Sequence, residues 1–263
     1  MKLLQRSLVA LIGIPLLLFV AQTALPAIWL AFALLVGGIS LMELLRMFRI
    51  RSLLHFLFSF AALTAGFGFL YLGKSLMLPL TAFSMGLAVT EVIMFNDEKK
   101  QDMRRFLVTL MSTLYITVFW GHFILLKKIP GGRLHWALLL FVLVWVIDSA
   151  AYFIGMALGK RRGVLAVSPR KSVAGFLGGL ILPLALAPLF SHFSGWPLWR
   201  GFLIVGLMGV VVQAGDLVES LLKRYAGVKD SGALLGAHGG IFDRFDSLIF
   251  SLPVYYGVVV FFL

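Results

Sequence analysis

The side chains best equipped for chemistry lie between Gly215 and Asp246. Asp216, Glu219, Asp230, Asp243 and Asp246 supply carboxylates, Lys223, Arg224, Lys229 and Arg244 supply cations, and His238 stands among glycines. Carboxylates suit hard divalent cations and clustered bases suit phosphate, so the mixture fits a site for phosphate and metal together. On a helix, Asp216, Ser220 and either Lys223 or Arg224 fall on nearly one face, and Glu219 is the i+3 neighbour of Asp216. Gly227 offers a C-terminal cap, so this helix is predicted to end near Tyr225. Beyond it, His238, Gly239 and Gly240 allow a ligand to approach the backbone closely. Asp243 and Asp246 stand one turn apart with Arg244 between them. At the start of a last helix both acids favour its positive end, and Asp243 alternatively serves as its N-cap.

These charges must be positioned by elements that are mostly hydrocarbon. Hydrophobic residues make up 61% of the 263 and charged residues 13%, with a mean hydropathy of +1.02. A soluble domain carries about 25% charged residues. The chain therefore reads as an all-α, polytopic integral membrane protein. At about 20 apolar residues per span, nine transmembrane helices are predicted near 7–23, 25–45, 53–72, 75–95, 106–126, 135–158, 173–191, 200–221 and 247–263. The apolar runs are continuous, not alternating as barrel strands require.

Basic residues give the orientation. With the N-terminus inside, 18 of the 23 Lys and Arg lie on one side, and only Lys74, Lys127, Lys128, Arg133 and Arg200 lie on the other. The positive-inside rule then puts the N-terminus and the charged loops in the cytoplasm, with the protein in the cell (inner) membrane. The net charge of +12 follows from this bias and from attraction to anionic headgroups. The bases are scattered over short loops, which speaks against nucleic-acid binding. Lys2, Arg6 and the run Leu8–Val20 also fit a cleaved signal peptide, but a retained first span better preserves the charge asymmetry. The chain has no cysteine, which excludes disulfides.

The longest polar connections are 96–105, 160–172 and 222–246, all on the predicted cytoplasmic side, so residues 1–263 read as one membrane domain. Asp97, Glu98 and Asp102 lie among Lys99, Lys100, Arg104 and Arg105 as a solvated loop. Glu43 is one turn from Arg46, where an i,i+3 pair would satisfy it. Glu91 lies inside a span without an assigned role. Asp148, Asp216 and Glu219 sit in or at the end of apolar helices, where an ionised carboxylate costs several kcal/mol unless paired, hydrated or bound to metal. Pairing with a nearby Lys or Arg is the plainer alternative to a functional role.

The order Ser220-x-Leu222-Lys223-Arg224, Lys229-Asp230, Gly232, Leu235-Gly236-x-His238-Gly239-Gly240-Ile241-x-Asp243-Arg244-Phe245-Asp246 resembles the signature of the phosphatidate cytidylyltransferase family. Gln213-x-Gly215-Asp216-Leu217 resembles it too, as does Asp148-Ser149-Ala150-Ala151-Tyr152 with Gly155 and Gly159-Lys160. Ser168-Pro169-Arg170-Lys171-Ser172-x-x-Gly175 is similar to the family's Ser-Pro-Lys-Lys-Thr-x-Glu-Gly segment. The likeness covers roughly 145–250, the predicted catalytic half, while residues 1–130 resemble the family only in hydropathy and span number. One departure is Ala174, which stands where the family carries Glu and can bind neither metal nor proton.

The resemblance implies a reaction in which phosphatidate attacks the α-phosphorus of CTP, giving CDP-diacylglycerol and pyrophosphate. It implies Mg²⁺ held by Asp216 and Asp243, with Asp246 as a nearby third acid, and K⁺ close by. Lys223, Arg224, Lys229 and Arg244 would hold phosphate groups. Ser168, Arg170, Lys171 and Ser172 would bind the nucleotide or lipid phosphate from the adjacent loop, and Ser220, His238, Gly239 and Gly240 complete the substrate contacts. Expected partners are CTP, phosphatidate and membrane lipids, with a homodimer left open. The alternatives are a CTP-dependent polyprenol- or phytol-type lipid kinase, a divergent paralogue acting on another lipid phosphate, and an ion-coupled transporter. A transporter predicts acids spread across the membrane, not gathered near one face.

Overall fold

The computed structural model describes residues 2–95, 103–163, 166–236 and 239–263. Asp97, Glu98, Lys99, Lys100, Asp102 and His238 lie outside them. The helices run in the order α1 Lys2–Gln22, α2 Pro26–Met47, α3 Leu53–Tyr71, α4 Met77–Phe95, α5 Met103–Leu114, a π-helical turn Tyr115–Trp120, α6 Gly121–Lys128 and α7 Trp136–Leu158. There follow α8 Val173–Ile181, a 3₁₀ segment Leu182–Leu186, α9 Ala187–Ser194, α10 Leu198–Ala226 and α11 Phe242–Phe262. Among the described residues there is no strand, only an isolated bridge between Arg162 and Ser172. Among the described residues seven helical segments are long and apolar enough to cross a membrane, among them Met103–Lys128 and Val173–Ser194, each built from consecutive pieces. The predicted spans at 7–23 and 75–95 fall on two shorter apolar stretches, Gly13–Gln22 and Met77–Ile93. The protein is thus a multi-pass, all-helical membrane protein.

The chain divides into two compact units that interleave in sequence. One comprises the first seven residues, Leu25–Leu125 and Asp230–Arg244; the other comprises Leu8–Ala24, Leu126–Lys229 and Phe245–Leu263. In the first unit α2 packs on α3 and α5, and α3 on α4 and α5. The Trp120 ring stacks on Phe123 at 5.1 Å, and its indole N–H donates to the Ala33 carbonyl at 3.0 Å. Glu91, which had no assigned role, is held by a bidentate Arg105 (2.8 and 3.1 Å) and by His55 Nε2 (2.7 Å). His55 in turn meets Ser52 at 2.8 Å. This is the pairing that an acid within apolar helices requires.

In the second unit α10 is the central rod, packed on α7, α8 and α9. Gln213 donates to the Phe176 and Gly209 carbonyls at 3.2 and 2.7 Å. The α10–α11 contact closes at Gly215, where an added Cβ would lie 2.9 Å from Ser247 Cα and from Phe250 Cβ. Only glycine permits that approach, and it draws the start of α11 against the acidic stretch of α10. At the far end of α11, the Tyr255 hydroxyl donates to the Trp136 carbonyl at 3.2 Å.

Candidate active site

Helix α10 carries its polar residues in the last three turns. It ends at Ala226 because Gly227 adopts a left-handed conformation (φ 73°) and, with Val228, donates back to the Arg224 and Lys223 carbonyls. This Schellman-type closure is what the sequence implied for Gly227. Asp216, Glu219, Ser220, Lys223 and Arg224 therefore remain helical, one to two turns apart, as the spacing requires.

Asp216, Glu219 and Asp246 converge. Each offers a carboxylate oxygen, and the three oxygens all lie within 4.8 Å of one another. Two of these acids come from α10 and one from the first turns of α11. Glu219 and Asp246 are buried, and Asp216 is about one-third exposed. Asp216 forms an ion pair with Lys171, and Glu219 one with Lys223 at 2.5 Å. Asp148, on α7, interacts electrostatically with both Asp216 and Lys171. Among these six side chains, four carboxylates face two ammonium groups, leaving two formal negative charges. Hard oxygen donors with that deficit fit a divalent cation. The sequence singled out Glu219 and Asp148 as costly carboxylates in apolar helices and Glu219 as the i+3 neighbour of Asp216, but assigned neither as a metal ligand.

In the same unit as the acids, Ser168, Pro169, Arg170, Arg224 and Lys229 line a cavity of about 340 Å³. Three of its five lining residues are cations, and Arg224 Nε also reaches the Val167 carbonyl at 3.5 Å. The size lies in the range of small-ligand pockets, and the charge suits an anion. Ser172 is buried and caps α8, its hydroxyl accepting from the Gly175 N–H at 3.1 Å. Ala174 occupies the first turn of α8 and is half-buried. Ser220 is half-buried on α10 and Arg244 is exposed near the start of α11.

The glycine-rich segment belongs to the first unit and is organised by two carboxylates. Asp243 accepts from the Ser231 N–H (3.0 and 3.1 Å to its two oxygens) and from the Gly240 N–H at 2.8 Å. Gly239 is left-handed (φ 80°), and Gly240 is buried. Glu43, from α2, accepts from the Ile241 N–H at 3.1 Å, the Phe242 N–H at 2.8 Å and the Ser231 hydroxyl at 3.3 Å. The expectation of a Glu43–Arg46 pair is corrected here. Among the described residues Glu43 makes no such ion pair; it is 5% exposed and faces the interior, whereas Arg46 faces outward. The N-terminal end of α11 is thus capped from α2, with Asp243 bonding to Ser231 and Gly240.

A model described as the cytidylyltransferase family matches residues 4–262. The chain is 33% identical over 268 residues to a phosphatidate cytidylyltransferase of Bacillus subtilis, covering 98% of each. It is 46% identical over 132 residues to a protein of that name from Haemophilus influenzae, covering 48% of this chain and 46% of that one. It is 40% identical over 147 residues to one from Staphylococcus haemolyticus, 55% of each.

Proposed function

The chain belongs to the cytidylyltransferase family, and from that premise we propose that it transfers the cytidylyl group of CTP to phosphatidate. The products are CDP-diacylglycerol and pyrophosphate. The observation that carries the reading is the convergence of Asp216, Glu219 and Asp246 in the same unit as the cationic cavity at Arg170, Arg224 and Lys229. Acid cluster and cation cluster share α10, Arg224 standing two turns beyond Asp216.

The chemistry asks little of a general base. A phosphate oxygen of phosphatidate, already anionic at neutral pH, forms a bond to the α-phosphorus of CTP. The bond from that phosphorus to the bridging oxygen breaks, and its electron pair leaves with pyrophosphate. The barrier lies in bringing two polyanions together and in stabilising the departing charge. Arg170, Arg224, Lys229 and Ser168 bind and orient phosphate groups; Lys171 and Lys223 hold Asp216 and Glu219 in place. Asp216, Glu219 and Asp246 would hold Mg²⁺, which would supply charge neutralisation for the substrate phosphates. Asp243 as a further ligand, His238 as a phosphate contact and K⁺ near the site rest on the signature motif. Asp243's hydrogen bonds support a loop-holding role besides.

The basic loops face the cytoplasm of the inner membrane in this reading, where CTP arrives, and phosphatidate keeps its acyl chains in the bilayer. The test supplies purified protein with phosphatidate, Mg²⁺ and CTP labelled at either the α- or the γ-phosphorus. Label is expected in the lipid from the α position only. Label entering from the γ position alone would establish a kinase and sink the proposal.

A further inference from the structure

Glu43 lies on α2, 188 residues before Ser231, yet its carboxylate is spent on the signature segment. Its carboxylate is nearly fully buried and accepts two consecutive backbone N–H groups, those of Ile241 and Phe242, at the point where α11 begins. Those N–H groups belong to the first turn and have no partner within the helix. The anion also sits at the positive end of the α11 dipole. Ser231 joins the two carboxylates of the segment: its hydroxyl donates to Glu43 and its N–H to Asp243. Gly232 makes room for this arrangement, since a Cβ there would lie 2.5 Å from Glu43 Oε1. Glu43, Ser231 and Asp243 thus form one connected network around residues 230–243.

We propose that Glu43 is a positioning residue for cytidylyl transfer, fixing Ser231, Ile241 and Phe242 at the start of α11 and thereby the placement of Asp243. The proposal rests on the cytidylyltransferase reading. A purely structural cap would alter only how much protein folds. A positioning cap sets where Asp243 stands in protein that has folded.

Glu43→Gln separates these roles. The amide keeps the volume but presents an NH₂ group to a site lined by N–H donors, so one acceptor is lost. In detergent, without substrate or divalent cation, hydrogen exchange at the Ile241 and Phe242 amides is expected to speed up at least about tenfold, the loss of one charge-assisted bond. In the folded fraction, the Mg²⁺ concentration for half-maximal α-label transfer is expected to rise by a similar factor. Glu43→Asp, one methylene short, is expected to fall between Gln and wild type in both readouts. Thr113→Ala serves as the control, removing a buried 2.9 Å hydrogen bond to Ser59 in the same unit. It is expected to lower thermal stability while leaving the Mg²⁺ requirement and the 241–242 exchange unchanged. Unchanged exchange in Glu43→Gln, or activity lost only in proportion to the folded fraction, overturns the proposal. Absence of α-label transfer by the wild-type protein would instead overturn the function on which it rests.

Discussion

Three carboxylate oxygens within 4.8 Å of one another repel strongly. At that separation and an effective dielectric of about 20, each like-charged pair costs about 3.5 kcal/mol. Lys171 and Lys223 offset part of this through their ion pairs with Asp216 and Glu219. The cluster is therefore destabilising in the cation-free protein, a strain acceptable only where function requires it. This gives a prediction of opposite signs for one substitution. Asp246→Asn is expected to raise the thermal unfolding temperature measured in detergent with a chelator, because it removes repulsion with Asp216. The same variant is expected to lose at least about 100-fold in α-label transfer, the scale of losing one preorganised electrostatic contact. A lowered unfolding temperature with near-normal turnover would refute both halves. Glu219→Gln, leaving two acids, is expected to raise the Mg²⁺ requirement more than it lowers the maximal rate, read from a Mg²⁺ titration.

At the scale of elements, α7 shows how a helix start ties stability to pH. His135 caps it: the ring Nδ1 accepts from the Ala137 N–H at 3.1 Å, and Nε2 donates to the Lys127 carbonyl at 3.3 Å. Both bonds require one neutral tautomer, with the proton on Nε2. Burial, and then the charge of Lys127, lower the His135 pKa to about 4. The unfolded chain, with an ordinary value near 6.5, binds the proton more readily. Between about pH 6.5 and 4 the unfolded state is thus favoured as pH falls, and the folded protein should lose stability across that window. His135→Asn, an uncharged cap, is expected to flatten that part of the profile of unfolding temperature against pH. An unchanged slope would mean that other groups set it.

The same scale explains what could be read in advance. Asp216, Glu219, Lys223 and the Gly227 cap were legible because their relations are local, three to eleven residues along one helix. Helix positions were legible from continuous apolar runs. Glu43 was misread because its partners lie 198 and 199 positions away, and a nearby Arg46 offered a local answer. Glu91 was left without a role for the same reason: His55 is 36 residues before it. The meeting of Asp246 with Asp216 depends on α11 packing against Gly215, which no periodicity reveals.

For the whole molecule, the bias of basic residues predicts sidedness, and the absence of cysteine makes it measurable. A single cysteine at exposed Ala233, in the loop before α11, is expected to react with a membrane-impermeant maleimide only after the membrane is opened. One at exposed Lys74, between α3 and α4, is expected to react in intact spheroplasts. The reverse pattern would invert the topology and place the site away from cytoplasmic CTP.

The interleaving of the two units has a consequence in time. Leu25–Leu125 is synthesised long before Asp230–Arg244, the segment that completes its unit. At about 5–20 residues per second, roughly 5 to 20 s separate them. During that interval the Glu43 carboxylate has entered the bilayer with its helix, while Ser231, Ile241 and Phe242 do not yet exist. The nascent chain must carry an unsatisfied anion through insertion, borrowing water, lipid headgroups or an insertase until its own loop arrives. A ribosome stalled before Ser231 would hold the protein in that incomplete form, with most of its helices made and their acid still waiting.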